Sequence, residues 1–331
     1  LKPKTFWRTF SLLVLIVLMA ACNQASVDEP TSSPESPTAT LTPTPAATPV
    51  PSMILLDGSE TTEIETALQA WAADQGWVLE RRGAQELEGW SETPGLQAVV
   101  EIGTGLTGDE LAAAAPEVAV VTMDHASASP GENLSTVGMP NMRHDQAGFL
   151  AGALCGLASQ SWVVTAVSNG GEFDAVYYAA FEHGLKYTCP RCWPELLGAW
   201  QVTTEALQSR PVDVVFVMPG PDEFPSWSAI LATQAWIVHV GEAPQEVPAE
   251  RIAGSVITDP IPILLAALDG LQAGESGTAW SYAVENGSLL WGTLNTNAVS
   301  PGRVRILEAV WQALTSGELD VGVDPQTGVE R

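Results

Sequence analysis

Two cysteines three residues apart, in Cys189-Pro190-Arg191-Cys192, are the most specific chemical signal in this chain. A C-x-x-C pair can exchange disulfides, help hold a metal, or close as a clip. Here it follows a predicted helix rather than opening one, so a structural disulfide is the first reading, with redox work, metal binding and free thiols left open. The four histidines, His125, His144, His183 and His239, lie singly, with no second His or Cys at ligand spacing, so no metal site is expected. They read as surface or hydrogen-bonded residues, although His125 and His239 follow strands, where a neutral imidazole can meet a ligand. No G-x-x-x-x-G-K-[ST] phosphate loop, H-E-x-x-H helix or G-x-S-x-G elbow occurs, so neither catalysis nor a cofactor is expected. What remains are glycines, amides and carboxylates in short loops: Asp57-Gly58-Ser59, Gly103-Thr104-Gly105, Asp124-His125, Ser168-Asn169-Gly170-Gly171, Met218-Pro219-Gly220 and His239-Val240-Gly241-Glu242. Such groups hold a polar ligand by hydrogen bonds rather than break its bonds.

Each of these loops follows a strand-like run. Strands are predicted at 53–56, 98–102, 118–123, 162–167, 212–217, 236–240 and 252–257, with strand-like pieces at 281–284 and 289–291. Helices are predicted at 60–75, 109–115, 145–158, 175–187, 226–234, 261–272 and 302–315. Strand and helix alternating in this way build parallel sheets. The expected fold class is therefore α/β, with two Rossmann-like lobes and a ligand cleft between them, since ligands of open α/β sheets bind outside the carboxyl ends of the strands. The first lobe is assigned to about 52–140 plus part of 259–290, and the second to about 141–258 plus part of the C-terminal tail, which crosses back between them. In that geometry Gly103, His125, Asn169, Gly170 and Gly220 face the cleft as ligand-binding candidates, joined by the aromatic Phe173. Of the 12 tryptophans, Trp71, Trp77, Trp162, Trp236 and Trp311 are expected in packing, whereas Trp200 and Trp227, the latter with Phe224, are placed for a cleft. Cys155, on an Ala/Leu-rich helix, reads as a small buried hydrophobe.

The N-terminus reads as an address. Lys2, Lys4 and Arg8 precede an apolar run ending in Ala20-Ala21-Cys22, the order of a signal peptide over residues 1–21. The ending Leu18-Met19-Ala20-Ala21-Cys22 resembles a bacterial lipobox, which implies lipidation of Cys22 and the extracytoplasmic face of the cell membrane. Residues 22–51 then read as a tether, because 16 of the 22 residues from Pro30 to Pro51 are Pro, Thr or Ser. The globular body is assigned to 52–331. With 13 basic and 39 acidic residues the net charge is −26, which repels phosphate backbones, so nucleic acid is not an expected partner and the membrane is met only through the lipid.

Within the body, several stretches fall in a telling order. They are Arg143-His144-Asp145-Gln146-Ala147-Gly148-Phe149-Leu150-Ala151-Gly152, then Phe181-Glu182-His183-Gly184-Leu185-Lys186, Trp236 to Val240, Gly254-Ser255-Val256 and Ser316-Gly317-Glu318-Leu319-Asp320-Val321. Together with Val99 to Gly105 and Pro116 to Asp124 they resemble the BMP or PnrA-like basic membrane lipoproteins, nucleoside-binding subunits of ABC importers with a type I periplasmic-binding-protein fold. The resemblance runs from about Ala98 to the C-terminus and implies a non-catalytic binding protein, a small polar ligand such as a nucleoside, and an ABC permease as partner. It adds Asp57, Ser59, Asp124, Glu242 and Asp259 to the candidate site, Asp124 as acceptor of sugar hydroxyls. Departures cluster there too. Asp57-Gly58-Ser59-Glu60-Thr61 lacks the Phe and Asn of the family's D-x-S-F-N, Gly241 with Glu242 one place on replaces the family acid, and Thr258 replaces the family Lys. A neutral or cationic ligand follows from that loss and from the acidic balance. Two other readings stay open: a ligand sensor or degenerate binding module without transport, and a thiol-active lipoprotein using Cys189 and Cys192.

Overall fold

The computed structural model describes residues 49–58, 62–83, 89–125, 128–138, 142–220 and 227–331. The signal, lipidation and tether segments lie outside them, except for residues 49–51. Among the described residues no helix is long and apolar enough to cross a membrane.

The first sheet is built from β1 (Ser52–Asp57), α1 (Thr62–Gln75), β2 (Val78–Arg82), β3 (Leu96–Ile102), α2 (Gly108–Ala114), β4 (Ala119–Met123) and β5 (Leu134–Val137). β1 is buried over all six residues, as a central parallel strand must be. The second sheet follows with α3 (His144–Ala158), β6 (Val163–Ser168), α4 (Asp174–Thr188), β7 (Trp193–Gly198), α5 (Thr204–Gln208), β8 (Val214–Val217), α6 (Trp227–Leu231), β9 (Trp236–Val240) and β10 (Ile252–Thr258). The chain then runs through α7 (Pro260–Gln272), β11 (Ala279–Trp280), β12 (Leu289–Trp291) and α8 (Pro301–Thr315). Strand orders are β11-β5-β4-β3-β1-β2 and β12-β10-β9-β8-β6-β7. Every pairing is parallel except β12 against β10.

The chain passes between the sheets three times, and each passage leaves from a carboxyl end. β5 leads to α3; β10 leads to α7, which packs on α1 and β5; and residues 281–288 join β11 to β12. Because Leu289 pairs with Thr258, that last passage also lands beside the carboxyl end of β10. The carboxyl edges of both sheets therefore meet at the passages.

The second lobe is organised by α3, all fifteen residues of which are buried. Gly148, Gly152 and Gly156 form one stripe on it and face α4, where Gly184 answers. A methyl group on Gly152 would overlap the Phe181 carbonyl oxygen, and one on Gly184 the Phe149 carbonyl oxygen. Backbone therefore lies on backbone.

Most predicted elements appear with shifted ends, and the differences have physical reasons. β2 was not expected because Glu80, Arg81 and Arg82 leave no apolar alternation on this exposed edge strand. β7 is likewise an edge strand, where Pro194 is tolerated. β5 and the two-residue β11 are too short to read, and α5 has only five residues. Residues 281–284 are not a strand but passage: the Val284 N–H donates to Gln146 Oε1 at 2.9 Å and the Ala283 N–H to Ser288 Oγ at 3.0 Å. Trp162, expected in packing, is 53% exposed at φ 65°, because Asp213 tightens the turn before it by accepting from Ser161 N at 2.7 Å and Ser159 Oγ at 2.8 Å.

Gly184→Ala is expected to cost about 1–3 kcal/mol by forcing α3 and α4 apart. Gly302→Ala, in open space within the first turn of α8, is expected instead to stabilise by about 0.4–1 kcal/mol. Urea denaturation of both variants checks the contrast.

Candidate functional site

On the first sheet the carboxyl ends of β1, β3 and β4 are neighbours, and they bring Asp57, Gly103 and Asp124 to one edge. The Asp57 carboxylate is buried and paired with Arg81 Nη2 on β2 at 3.1 Å; Arg81 also reaches Glu65 on α1 at 3.0 Å. Gly58 presses on Gly103, whose carbonyl oxygen a Cβ at 58 would overlap. Behind this turn stands Glu101, fully buried, which accepts from Thr122 Oγ1 at 2.6 Å, Thr104 Oγ1 at 2.7 Å and Thr104 N at 2.9 Å. Those three bonds shape the Gly103-Thr104-Gly105 loop, in which Gly103 and Gly105 have φ of 60° and 77°. Sequence reasoning passed over Glu101; the signal was a lone acid inside the apolar run of β3.

Asp124 sits at φ 53°, a left-handed conformation that Asp tolerates better than most residues. It accepts a hydrogen bond from the hydroxyl of Tyr282, in the third passage, at 3.0 Å. Burial and the adjacent carboxylate push the Tyr282 phenol far above its ordinary range, so it remains a donor. Gly138, at φ 88°, makes room for the pair, since a Cβ there would overlap both Asp124 Oδ1 and the Tyr282 ring. His125 follows Asp124, half-buried. Tyr282 was missed because its segment reads as strand.

On the second sheet, Asn169, Gly220 and Glu242 come together around a cavity of about 240 Å³ beyond β6, β8 and β9. Trp227, His239 and Glu246 complete its polar and aromatic lining. Gly220 lies so close to Asn169 that a Cβ would overlap its amide. Gly170 sits beside them, its N–H donating to Asp174 Oδ2 at 3.1 Å in the first turn of α4, where a carboxylate suits the helix dipole. His239 lies against the cavity at 4% exposure. Burial holds its imidazole below the usual histidine range, offset in part by the backbone of Val240 and Gly241.

Other candidates serve packing or lie elsewhere. Phe173 stacks on the buried His144 ring at 3.9 Å and 16°, and His144 Nδ1 shares a hydrogen bond of 3.1 Å with the Tyr177 hydroxyl. Asp259 caps α7, accepting from Ile261 N at 3.0 Å. Ser59, Phe224 and Cys22 lie outside the described residues. Trp200 is 83% exposed beyond β7 and does not line the cavity. Cys189 and Cys192 form a disulfide at the amino end of β7, the far end from the cleft. Cys155 is a buried free thiol, its pKa raised by burial.

No family profile matches the chain, and no curated protein matches it in sequence. Solved structures do. An ABC transporter system solute-binding protein from Conexibacter woesei DSM 14684 superposes with a TM-score of 0.53 and 18% identity, over 82% of this chain and 98% of that one. A transcriptional activator of the comK gene from Bacillus halodurans gives a TM-score of 0.56 and 12% identity, over 81% and 99%. The fold is thus the type I periplasmic-binding-protein architecture, two α/β lobes whose carboxyl edges border a cleft.

Two outcomes test this geometry. Tyr282→Phe should cost about 1–2 kcal/mol in urea denaturation, since it strips a donor from a carboxylate. For His239 the folded pKa lies below the unfolded one, so its contribution is intact above the unfolded value and lost as pH falls from there towards the folded value. Between about pH 7.5 and pH 5 the wild type should therefore lose more stability than His239→Gln, as paired denaturation curves would show.

Proposed function

We propose that this chain is the lipid-anchored solute-binding subunit of an ABC importer, closing its two lobes on a small polar ligand without catalysis. The observation that carries this reading is the meeting of both carboxyl edges at the three passages. One edge offers the Asp124–Tyr282 pair, the other the cavity at Asn169, Gly220 and His239. Ligand touching both edges favours the closed state over the open one, which is how such a cleft turns binding into a shape change. A nucleoside is the ligand class that the resemblance to the BMP or PnrA-like lipoproteins implies, with Asp124 accepting the sugar hydroxyls and Cys22 carrying the lipid. The name of the Conexibacter woesei protein points the same way as regards transport.

A second reading, a ligand sensor without transport, draws on the Bacillus halodurans activator, which shares the fold at the higher of the two scores. Thiol chemistry is the weakest of the three, because the disulfide lies away from the cleft and Cys192 is fully buried.

Thermal unfolding of the chain against nucleosides, free bases, sugars and amino acids tests the proposal. Ligand at about 100 times its Kd should stabilise by about 2.7 kcal/mol. Asp124→Ala should remove the nucleoside response; a response to another class would replace the ligand, and silence across the panel would defeat the binding reading.

A further inference from the structure

The disulfide loop and the amino ends of β6 and β7 form a surface that the core does not use. Trp162 and Trp193 stand side by side there, the Trp193 N–H donating to the Trp162 carbonyl oxygen at 2.7 Å, and the two residues are 53% and 71% exposed. Trp162 is held at φ 65°, a left-handed conformation that a bulky residue adopts only at a cost, and its exposed ring returns no packing for it. Each indole carries a cation: the Arg191 guanidinium lies 5.9 Å from the Trp162 ring centre, and Lys186 Nζ lies 5.8 Å from that of Trp193. The Cys189–Cys192 disulfide closes the loop that bears Arg191, and the Lys186 ammonium donates to the Cys192 carbonyl oxygen at 2.5 Å. Lys186 is the only lysine after Lys4, and residues 159–163 and 186–194 contain no acid, in a chain with 39 acidic residues and 13 basic ones. Two acids near these segments are engaged within the fold: Asp213 accepts from the N–H groups of Gln160 and Ser161, and Glu195 pairs with Arg210.

We propose that this surface docks on an anionic membrane, so that the amino end of the second sheet faces the lipid. The chemistry is that of a membrane–water interface, where indoles sit at the level of the headgroups and Lys and Arg meet lipid phosphates. Charge complementarity selects this occupant. A chain of net charge −26 is repelled by an anionic bilayer as a whole, whereas here two cations and two indoles stand together on segments without an acid. A symmetric pair of copies joined through this face would set cation against cation. The amino ends lie opposite the carboxyl edge that borders the cleft, so docking leaves the cleft open to its ligand. The inference goes beyond the ligand-binding reading and takes from it only that the body works beside a membrane.

Residues 48–331 form a compact unit of their own, which keeps the signal and lipidation segments out of the measurement. Flotation of this unit with vesicles of phosphatidylcholine, alone or mixed with phosphatidylglycerol, reads the affinity. Binding should be about tenfold or more tighter on the anionic vesicles and should fall as salt rises. Trp162→Ser with Trp193→Ser should weaken it about tenfold. Lys186→Gln, which keeps a donor towards Cys192, with Arg191→Gln should erase the preference for the anionic lipid. All four residues are exposed, and urea denaturation checks that both double variants fold. Trp200→Ser, exposed beyond the other end of β7, should change nothing. Equal binding to both vesicles, binding to neither, or binding that survives both double variants overturns the proposal. Sedimentation velocity and titration with polyglutamate test the other occupants: self-association or peptide binding that depends on the two tryptophans, without vesicle binding, gives the surface to a second copy or an acidic protein and also overturns it. The ligand response is read separately by thermal unfolding, so failure here leaves the ligand-binding reading standing.

Discussion

The contact on which most of the second lobe depends is the backbone-to-backbone approach of α3 and α4. Gly148 and Gly152 meet the backbone of α4 directly, Gly156 makes room for the Thr188 side chain, and Gly184 removes the obstacle from the other side. At that spacing the rest of α3 can be wholly buried without overfilling the core, which is why a fifteen-residue helix carries no exposed face. The contact also sets the cleft. It holds the start of α4 where Phe173 stacks on His144 and where Asp174 gathers the N–H of Gly170 and the Ser168 hydroxyl. A change in helix spacing would move the Asn169–Gly170 loop, and with it one wall of the cavity.

The first lobe solves the same problem with buried polar groups. Glu101 fixes the Gly103 loop through three hydrogen bonds, and Arg81 holds the Asp57 carboxylate down at the neighbouring strand end. Each carboxyl group is satisfied by named partners, so this edge is positioned by the protein's own hydrogen bonds. Asp124 is different. Its partner Tyr282 comes from the third passage between the lobes, so the acid that the resemblance marks for ligand is bonded to a segment that connects both halves.

Parallel strands buried on both faces announce themselves as apolar runs, and so β1, β3, β4, β6, β8, β9 and β10 were legible, as were the long helices α3, α4, α7 and α8. The edge strand β2 carries no such signal, because it presents charge, whereas the edge strand β7 was legible only as a strand before Trp200. The site was partly legible for a related reason. Glycine and small polar residues after a strand mark a cleft loop, which singled out Asn169 and Gly220, and with Glu242, added by the resemblance, they line one cavity. Residues that act from behind the loop, such as Glu101, or from a distant passage, such as Tyr282, have no local pattern to betray them. Asp57 and Asp259 show the converse, acids at strand ends held in an ion pair and a helix cap.

The three passages also mean that neither lobe is continuous along the chain. The first sheet is incomplete until residue 280 has joined it as β11, and the second until residue 291 has joined it as β12. A chain emerging from its N-terminus therefore cannot complete its first half and then its second as separate folding units. Both sheets close late and almost together, through pairings between residues far apart in sequence, which makes folding slow and leaves sheet edges open meanwhile.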